Sequence, residues 1–125
     1  MRSISQELDE NYATLRAARP AYKSKDWGKS FYISTIAWET DLYSGDLPDI
    51  IGFELMDVIS AQYALLVRTR YYVGLLTQLW FAPSEIQGYE DKRKGFRQNI
   101  LTTISQATSN HTDVMQLLDS TLKRG

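Results

Sequence analysis

At 125 residues the chain has the size of one domain, and 43% hydrophobic with 23% charged residues is the balance of an ordinary globular protein. A formal net charge of −1 points to no polyanionic partner, and the lack of cysteine removes disulfides, thiolate metal ligands and thiol nucleophiles together. Charge is unevenly spread: residues 1–62 carry six Lys/Arg against ten Asp/Glu, and residues 63–125 carry eight against five. Such asymmetry suits two ends of a bundle that complement each other.

Ser3 followed by Gln6 reads as a capping box, in which side chains satisfy the orphan N–H groups of a helix start. Ile4, Leu8, Leu15 and Ala18 recur at helical spacing and predict a helix over 4–18 that Pro20 stops. Residues 19–33 lack periodicity and read as a connection that Tyr22, Trp27 and Phe31 pin down. A short helix is expected over 34–44, with Gly45 as the left-handed residue that ends it. Asp46 and Asp49 around Pro48 open the next helix.

That helix, over 48–80, carries Leu55, Val58, Ile59, Leu66, Val73, Leu76 and Trp80, and a second stripe of Ile51, Leu65, Tyr72 and Leu79 widens its apolar face. A helix apolar over so much of its circumference belongs in the middle of a bundle, although Gly52 and Gly74 weaken it locally. Phe81-Ala82-Pro83 breaks the chain, and Ser84 with Gln87 forms another capping box. A last helix over 84–122 carries Ile86, Phe96, Ile100, Ile104, Ala107, His111, Val114, Leu118 and Leu122. From Phe96 onward this is the spacing of a bundle seam, and the polar run Thr108 to Thr112 is where it can fray or kink.

The expected fold is therefore all-α: an antiparallel helical bundle with two long helices, one N-terminal helix and one short helix, forming a single domain over 1–125. No run of about 18 uncharged apolar residues occurs, since Arg68 and Arg70 cut the richest stretch, and no segment is expected to span a bilayer. Met1-Arg2-Ser3-Ile4 does not read as a signal peptide.

The chemistry-bearing residues argue against most enzyme classes, and the expectation is a protein that is not an enzyme and carries no cofactor or metal. His111 is the single histidine, which is too few for two Glu-x-x-His pairs, and it has no nucleophile elbow beside it. No glycine-rich phosphate loop or dinucleotide fingerprint is present. Glu54 and Asp57 lie one turn apart and read as a solvated pair. His111 itself falls on the apolar stripe of the last helix. It is either a pH-sensitive or ligand-contacting group, or a buried residue hydrogen-bonded across the bundle to Gln62 or Thr69. Lys92, Arg93, Lys94 and Arg97 form a short basic cluster with Glu85, Glu90 and Asp91 nearby, which reads as a solvated face and not as a nucleic-acid site. Asn110-His111-Thr112 matches a glycosylation sequon on a core stripe. Tyr71, Tyr72, Trp80 and Phe81 cluster near the end of the central helix and, with His111, are candidates for a pocket or partner interface, the alternative for the aromatics being plain core and loop packing.

The stretch Thr35-Ile36-Ala37-Trp38-Glu39, then Ser44-Gly45, then a long helix bearing Tyr63, resembles a group of uncharacterised bacterial membrane-anchored proteins. In that group a transmembrane helix continues into a helix containing Glu and Asn, matched here by Glu7 to Leu15. An Ala-Trp-(Glu/Asp) helix ending in Ser-Gly follows a variable loop, and a tyrosine-bearing helix follows that. The resemblance covers about residues 4–80, and the last helix matches in pattern only. It implies an extracytoplasmic helical domain tethered to a bacterial membrane. The capping box at Ser3 would begin the first helix here, whereas the group runs it on from the membrane. Independently of ancestry, Trp38, Gly45 and Tyr63 read as structural: an indole plugging the bundle end, a tight reversal, and a brace across that corner.

The functional expectation is a non-catalytic helical interaction or sensory domain on the extracytoplasmic side of a bacterial membrane, the alternative being a cytoplasmic adaptor or regulatory subunit. Its partner would be another protein or a second copy of itself, with no nucleic acid and with a membrane only through a segment outside this sequence.

Overall fold

The computed structural model describes residues 2–23, 31–45, 47–81 and 88–124. Among them are four helices and no strand: α1 (Arg2–Lys23), α2 (Ile36–Ser44), α3 (Leu47–Trp80) and α4 (Tyr89–Arg124). Trp27, Asp46 and the Ser84–Gln87 capping box lie outside the described residues, as do the side chains of Ser3, Pro48 and Leu122.

Each long helix buries a stripe at alternating steps of three and four residues. In α1 the stripe is Ile4, Leu8, Asn11, Leu15 and Tyr22, and in α3 it is Leu55, Ile59, Gln62, Leu66, Thr69, Val73 and Leu76. Ile100, Ile104, Ala107, His111, Val114 and Leu118 supply the matching face of α4. Each fully buried Leu or Ile contributes about 1.5–3 kcal/mol, so these stripes hold the bundle. The amide Nε2 of Gln62 donates to the carbonyl of Ala107 at 2.8 Å, and one groove joins Val58 and Gln62 to Asn110, Val114 and Leu117. Descending numbers in α3 meet ascending numbers in α4, so the two run antiparallel. Asp9 meets His111 while Tyr22 meets Arg97, so α1 is antiparallel to α4 as well.

Two expectations about these elements are corrected. Helix α1 runs through Pro20 to Lys23 instead of stopping. An interior proline costs a helix about 3 kcal/mol. Here Pro20 stands in the last turns, and the helix end is held from outside. Tyr22 is buried edge-on against Phe31 with ring centres 5.7 Å apart. The Arg97 guanidinium of α4 donates to the carbonyl of Tyr22 and, at 2.7 Å, to that of Lys23. The polar run in α4 neither frays nor kinks, and within it Thr108 bonds back to the Ile104 and Ser105 carbonyls at 2.8 and 3.2 Å. Helix α3 has the length and hydropathy of a membrane span by composition alone, Asp49–Trp80 containing a window of mean hydropathy 1.6, of which 33% is buried inside the protein, and the core helix of a bundle can pass the same test.

Of the three described glycines at positive φ, two shape α2 and α3. Gly45 ends α2 at φ 77° and ψ −5°, with its N–H on the Leu42 carbonyl at 3.3 Å. Gly52 interrupts α3 at φ 80° and ψ 162°, a region open to glycine and costly for any other residue. A Cβ on Gly52 would meet nothing within 4 Å, so backbone strain alone decides its substitution. Gly52→Ala is expected to lower stability by about 1–3 kcal/mol. Gly74→Ala, in regular helix with equally open space, is expected to raise it by up to about 1 kcal/mol. Urea melts of the two variants check the opposite signs.

Candidate functional site

Helix α2 has only nine residues, and its N-cap residue Thr35 makes no side-chain cap. The cap comes from another helix. The Glu7 carboxylate of α1 accepts the backbone N–H of Ala37 at 2.9 Å and that of Trp38 at 3.2 Å. These are the second and third amides of the helix, the pair that an N-cap side chain ordinarily satisfies. The same carboxylate accepts the Ser34 hydroxyl at 2.8 Å and the Tyr63 phenol at 2.6 Å. All four acceptor positions of the carboxylate are thus engaged, and Glu7 is buried.

One turn along α1, Asn11 makes a reciprocal pair with the backbone of Ser34. Its amide donates to the Ser34 carbonyl at 2.8 Å and its oxygen accepts the Ser34 N–H at 3.1 Å. From α3, Arg70 donates to the Ile33 carbonyl at 3.4 Å and to the Thr35 hydroxyl at 3.0 Å. The Thr35 hydroxyl in turn donates a hydrogen bond to the Glu39 carboxylate at 3.2 Å. Segment 31–35 is therefore fastened from both sides before α2 begins.

Trp38 is buried and stacked on Tyr63, with ring centres 5.0 Å apart and planes 11° from parallel. Burial raises the Tyr63 phenol pKa above its ordinary value, and its hydrogen bond to Glu7 and the charges of Glu7 and Asp41 raise it further. Burial likewise pushes the Tyr22 phenol up to about 12.

Beside the stack, α2 and α3 enclose an open groove of about 710 Å³ between Trp38 and Leu42 on one side and Ser60, Ala64, Val67 and Tyr71 on the other. A second hollow of about 360 Å³ lies over the clamp, with Glu7, Glu10 and Asp41 among its lining residues.

The structure distributes the remaining sequence candidates. Tyr71 lines the groove, exposed, while its neighbour Tyr72 turns toward the core with the two rings tilted at 5.8 Å. Trp80 is half-buried against the core, and Phe81 is exposed beyond the end of α3. His111 does not meet Gln62 or Thr69. Its Nε2 lies 3.0 Å from Asp9 Oδ1, and its ring stacks on Tyr12 at 4.2 Å. Gln62 instead bonds Ala107, and Thr69 bonds Leu65 within its own helix at 2.8 Å. Because Gln62 faces Ala107, His111 lies about three and a half turns from Tyr71 along the bundle. These five residues are therefore not one site. Arg97 of the basic cluster fastens α1, and Arg93 pairs with Glu90 at 3.5 Å.

No family model, curated protein or solved structure matches this chain. The site is thus interpreted on its own geometry. Sequence reasoning placed Trp38, Gly45 and Tyr63 at one corner but assigned no role to Glu7, Asn11 or Arg70. The signal for Glu7 was present in retrospect: it is an acid adjoining the apolar stripe of α1, one turn before an asparagine that also interrupts that stripe.

Glu7→Gln keeps the shape but turns an NH2 group toward donors on one side of the clamp. It is expected to cost about 3 kcal/mol, the effect of leaving buried donors facing a donor, and to lower the urea midpoint without changing helical content at 25 °C. The raised phenols carry a pH signature. Their folded-state pKa values exceed those of the unfolded chain, so their contribution is whole below about pH 10 and is lost as pH rises through 10 to 12 and beyond. Urea midpoints should be level from pH 8 to 9.5 and fall steadily above it. Tyr22→Phe should make that fall shallower.

Proposed function

We propose that this chain is a non-catalytic helical interaction domain displayed on the extracytoplasmic side of a bacterial membrane. The observation that carries the interaction reading is the groove between α2 and α3, apolar along exposed Leu42, Val67 and Tyr71 and floored by the buried Trp38–Tyr63 stack. An apolar channel between helices with a rigid aromatic floor suits the apolar face of another helix. The polar groups of the neighbouring clamp are engaged in architecture, Glu7, Asn11, Arg70 and Thr35 all bonding within the fold, while Ser60 and Arg68 add polar atoms to the groove itself.

The membrane reading rests on the resemblance alone. Ala37, Trp38 and Tyr63, which carry part of that resemblance, meet with Glu7 at one clamp, which gives them a structural role whatever their ancestry.

The experiment uses the chain in the cells that make it. A benzophenone amino acid replacing Val67 in the groove should yield adducts heavier than the chain, whereas one replacing exposed Gln98 on α4 should not. A bare chain from both positions would end the interaction reading. Because the protein has no cysteine, Gln116→Cys introduces a single probe on an exposed face of α4. Labelling by an impermeant maleimide in intact cells is expected. Labelling only after lysis would make the domain cytoplasmic.

A further inference from the structure

Helix α3 carries a second regular stripe on the side away from α4. Past the Gly52 interruption, Phe53, Asp57, Ser60, Ala64, Val67 and Tyr71 follow one another at alternating steps of four and three residues, and all are exposed. The large members are unusually open for apolar side chains: Phe53 is 78% exposed and Tyr71 61%. A seven-residue repeat on two opposite faces of one helix is a repeat with two seams, and this chain covers only the one facing α4.

The composition of the open stripe identifies what fits it. Its centre is small, Ser60 and Ala64, where two helices can approach closely. Its ends are large, Phe53 and Tyr71, each nine residues from position 62. Its charges are segregated: Asp57 lies within the first half and Glu54 beside it, and Arg68 lies beside the second half. Among the described residues, none of these three has an ionic partner. A stripe with acids at one end, a base at the other and small residues between is complementary to itself reversed.

We propose that the partner is a second copy of this chain, with the two α3 helices packed antiparallel about a two-fold axis near Gln62. This rests on the interaction reading and names the partner. In that register Ser60 meets the other copy's Ala64, Phe53 meets Tyr71, and Glu54 meets Arg68, each pair occurring twice as a two-fold axis requires. Glu54 and Arg68 occupy the flanking position one residue past Phe53 and Val67, where antiparallel helices pair their charges. The alternative occupant is lipid, to which the hydropathy of α3 would be suited. Exposed Glu54, Asp57 and Arg68 would then be desolvated without counterions, whereas the self-pairing gives Glu54 and Arg68 theirs and leaves Asp57, opposite Val67, as its one unpaired charge.

Sedimentation equilibrium of the full chain at micromolar concentration tests it, with circular dichroism confirming that each variant stays helical. The wild type should exceed 14.4 kDa and approach twice that mass. Glu54→Arg and Arg68→Glu should each weaken the dimer by about tenfold or more, because like charges then face each other at two places. The double variant E54R/R68E should restore it to within about threefold of wild type, since the swapped charges pair again. Ala64→Arg should leave a monomer. A wild-type monomer at the highest concentration reached, a dimer that survives Ala64→Arg, or a double variant no better than the single ones would each overturn the pairing. So would a monomer that floats with phosphatidylglycerol vesicles, which would give the stripe to lipid. A wild-type monomer whose position 67 still crosslinks to a different protein would defeat the self-pairing alone. The absence of any crosslink would defeat the interaction reading as well.

Discussion

The Glu7 carboxylate is the point on which the placement of α2 depends. A helix of nine residues is too short to hold itself in water, because nucleation costs more than so few hydrogen bonds return. It forms here because a buried anion from α1 stands at its N-terminus, where the amides are unsatisfied and the helix dipole favours negative charge. The same carboxylate takes the Ser34 hydroxyl on the approach to the helix and the Tyr63 phenol from the far side. Three elements distant in sequence are therefore referred to one pair of oxygen atoms. Asn11 and Arg70 fix the chain on either side of that point, so α2 begins where it does by constraint from two long helices.

Helix α3 meets several demands at once, and its composition shows each of them. The face toward α4 is aliphatic apart from Gln62 and Thr69. Thr69 turns its hydroxyl back to its own helix, while Gln62 reaches across to the Ala107 carbonyl and leaves its own oxygen buried without a partner. A polar group in an apolar seam fixes register at some cost in stability, and Gln62 fits that description for the α3–α4 pair. A second face supplies Tyr63 and Arg70 to the clamp. The third face is the exposed stripe, and it explains why a helix in the middle of a bundle has the hydropathy of a membrane span while two thirds of that window lie unburied.

Much of the architecture was legible in the sequence because it rests on periodicity. The stripes of α1, α3 and α4 and the left-handed Gly45 follow from local spacing and backbone preference, and the structure places them accordingly. What was not legible depends on contacts made across long separations. Pro20 reads locally as a stop, yet the burial of Tyr22 and the guanidinium of Arg97, over seventy residues later, carry α1 past it. His111 was matched to the polar residues of α3, since only their common apolar setting could be read. Its partners, Asp9 and Tyr12, sit on the flank of α1, where nothing in the sequence marks them. The clamp was hidden for the same reason. An acid beside an apolar stripe looks solvated until the amides that bury it are in place.

Clamp and groove are mechanically one object. Tyr63 donates its proton to Glu7 and lays its ring against Trp38, and the N–H of Trp38 ends on the same carboxylate. The floor of the groove is therefore held by two hydrogen bonds and a stacked pair, with few rotamers left to lose. Its walls, Leu42 on α2 and Val67 and Tyr71 on α3, keep their separation because the start of α2 cannot slide along α3 without breaking the Arg70 and Glu7 contacts together. A surface that is already ordered loses little conformational entropy when it is covered, so each square ångström of apolar contact made there is worth more than on a mobile loop. Burying polar groups at the clamp thus leaves an apolar face beside it in one fixed shape. That is the physical basis for regarding the groove as a surface for association.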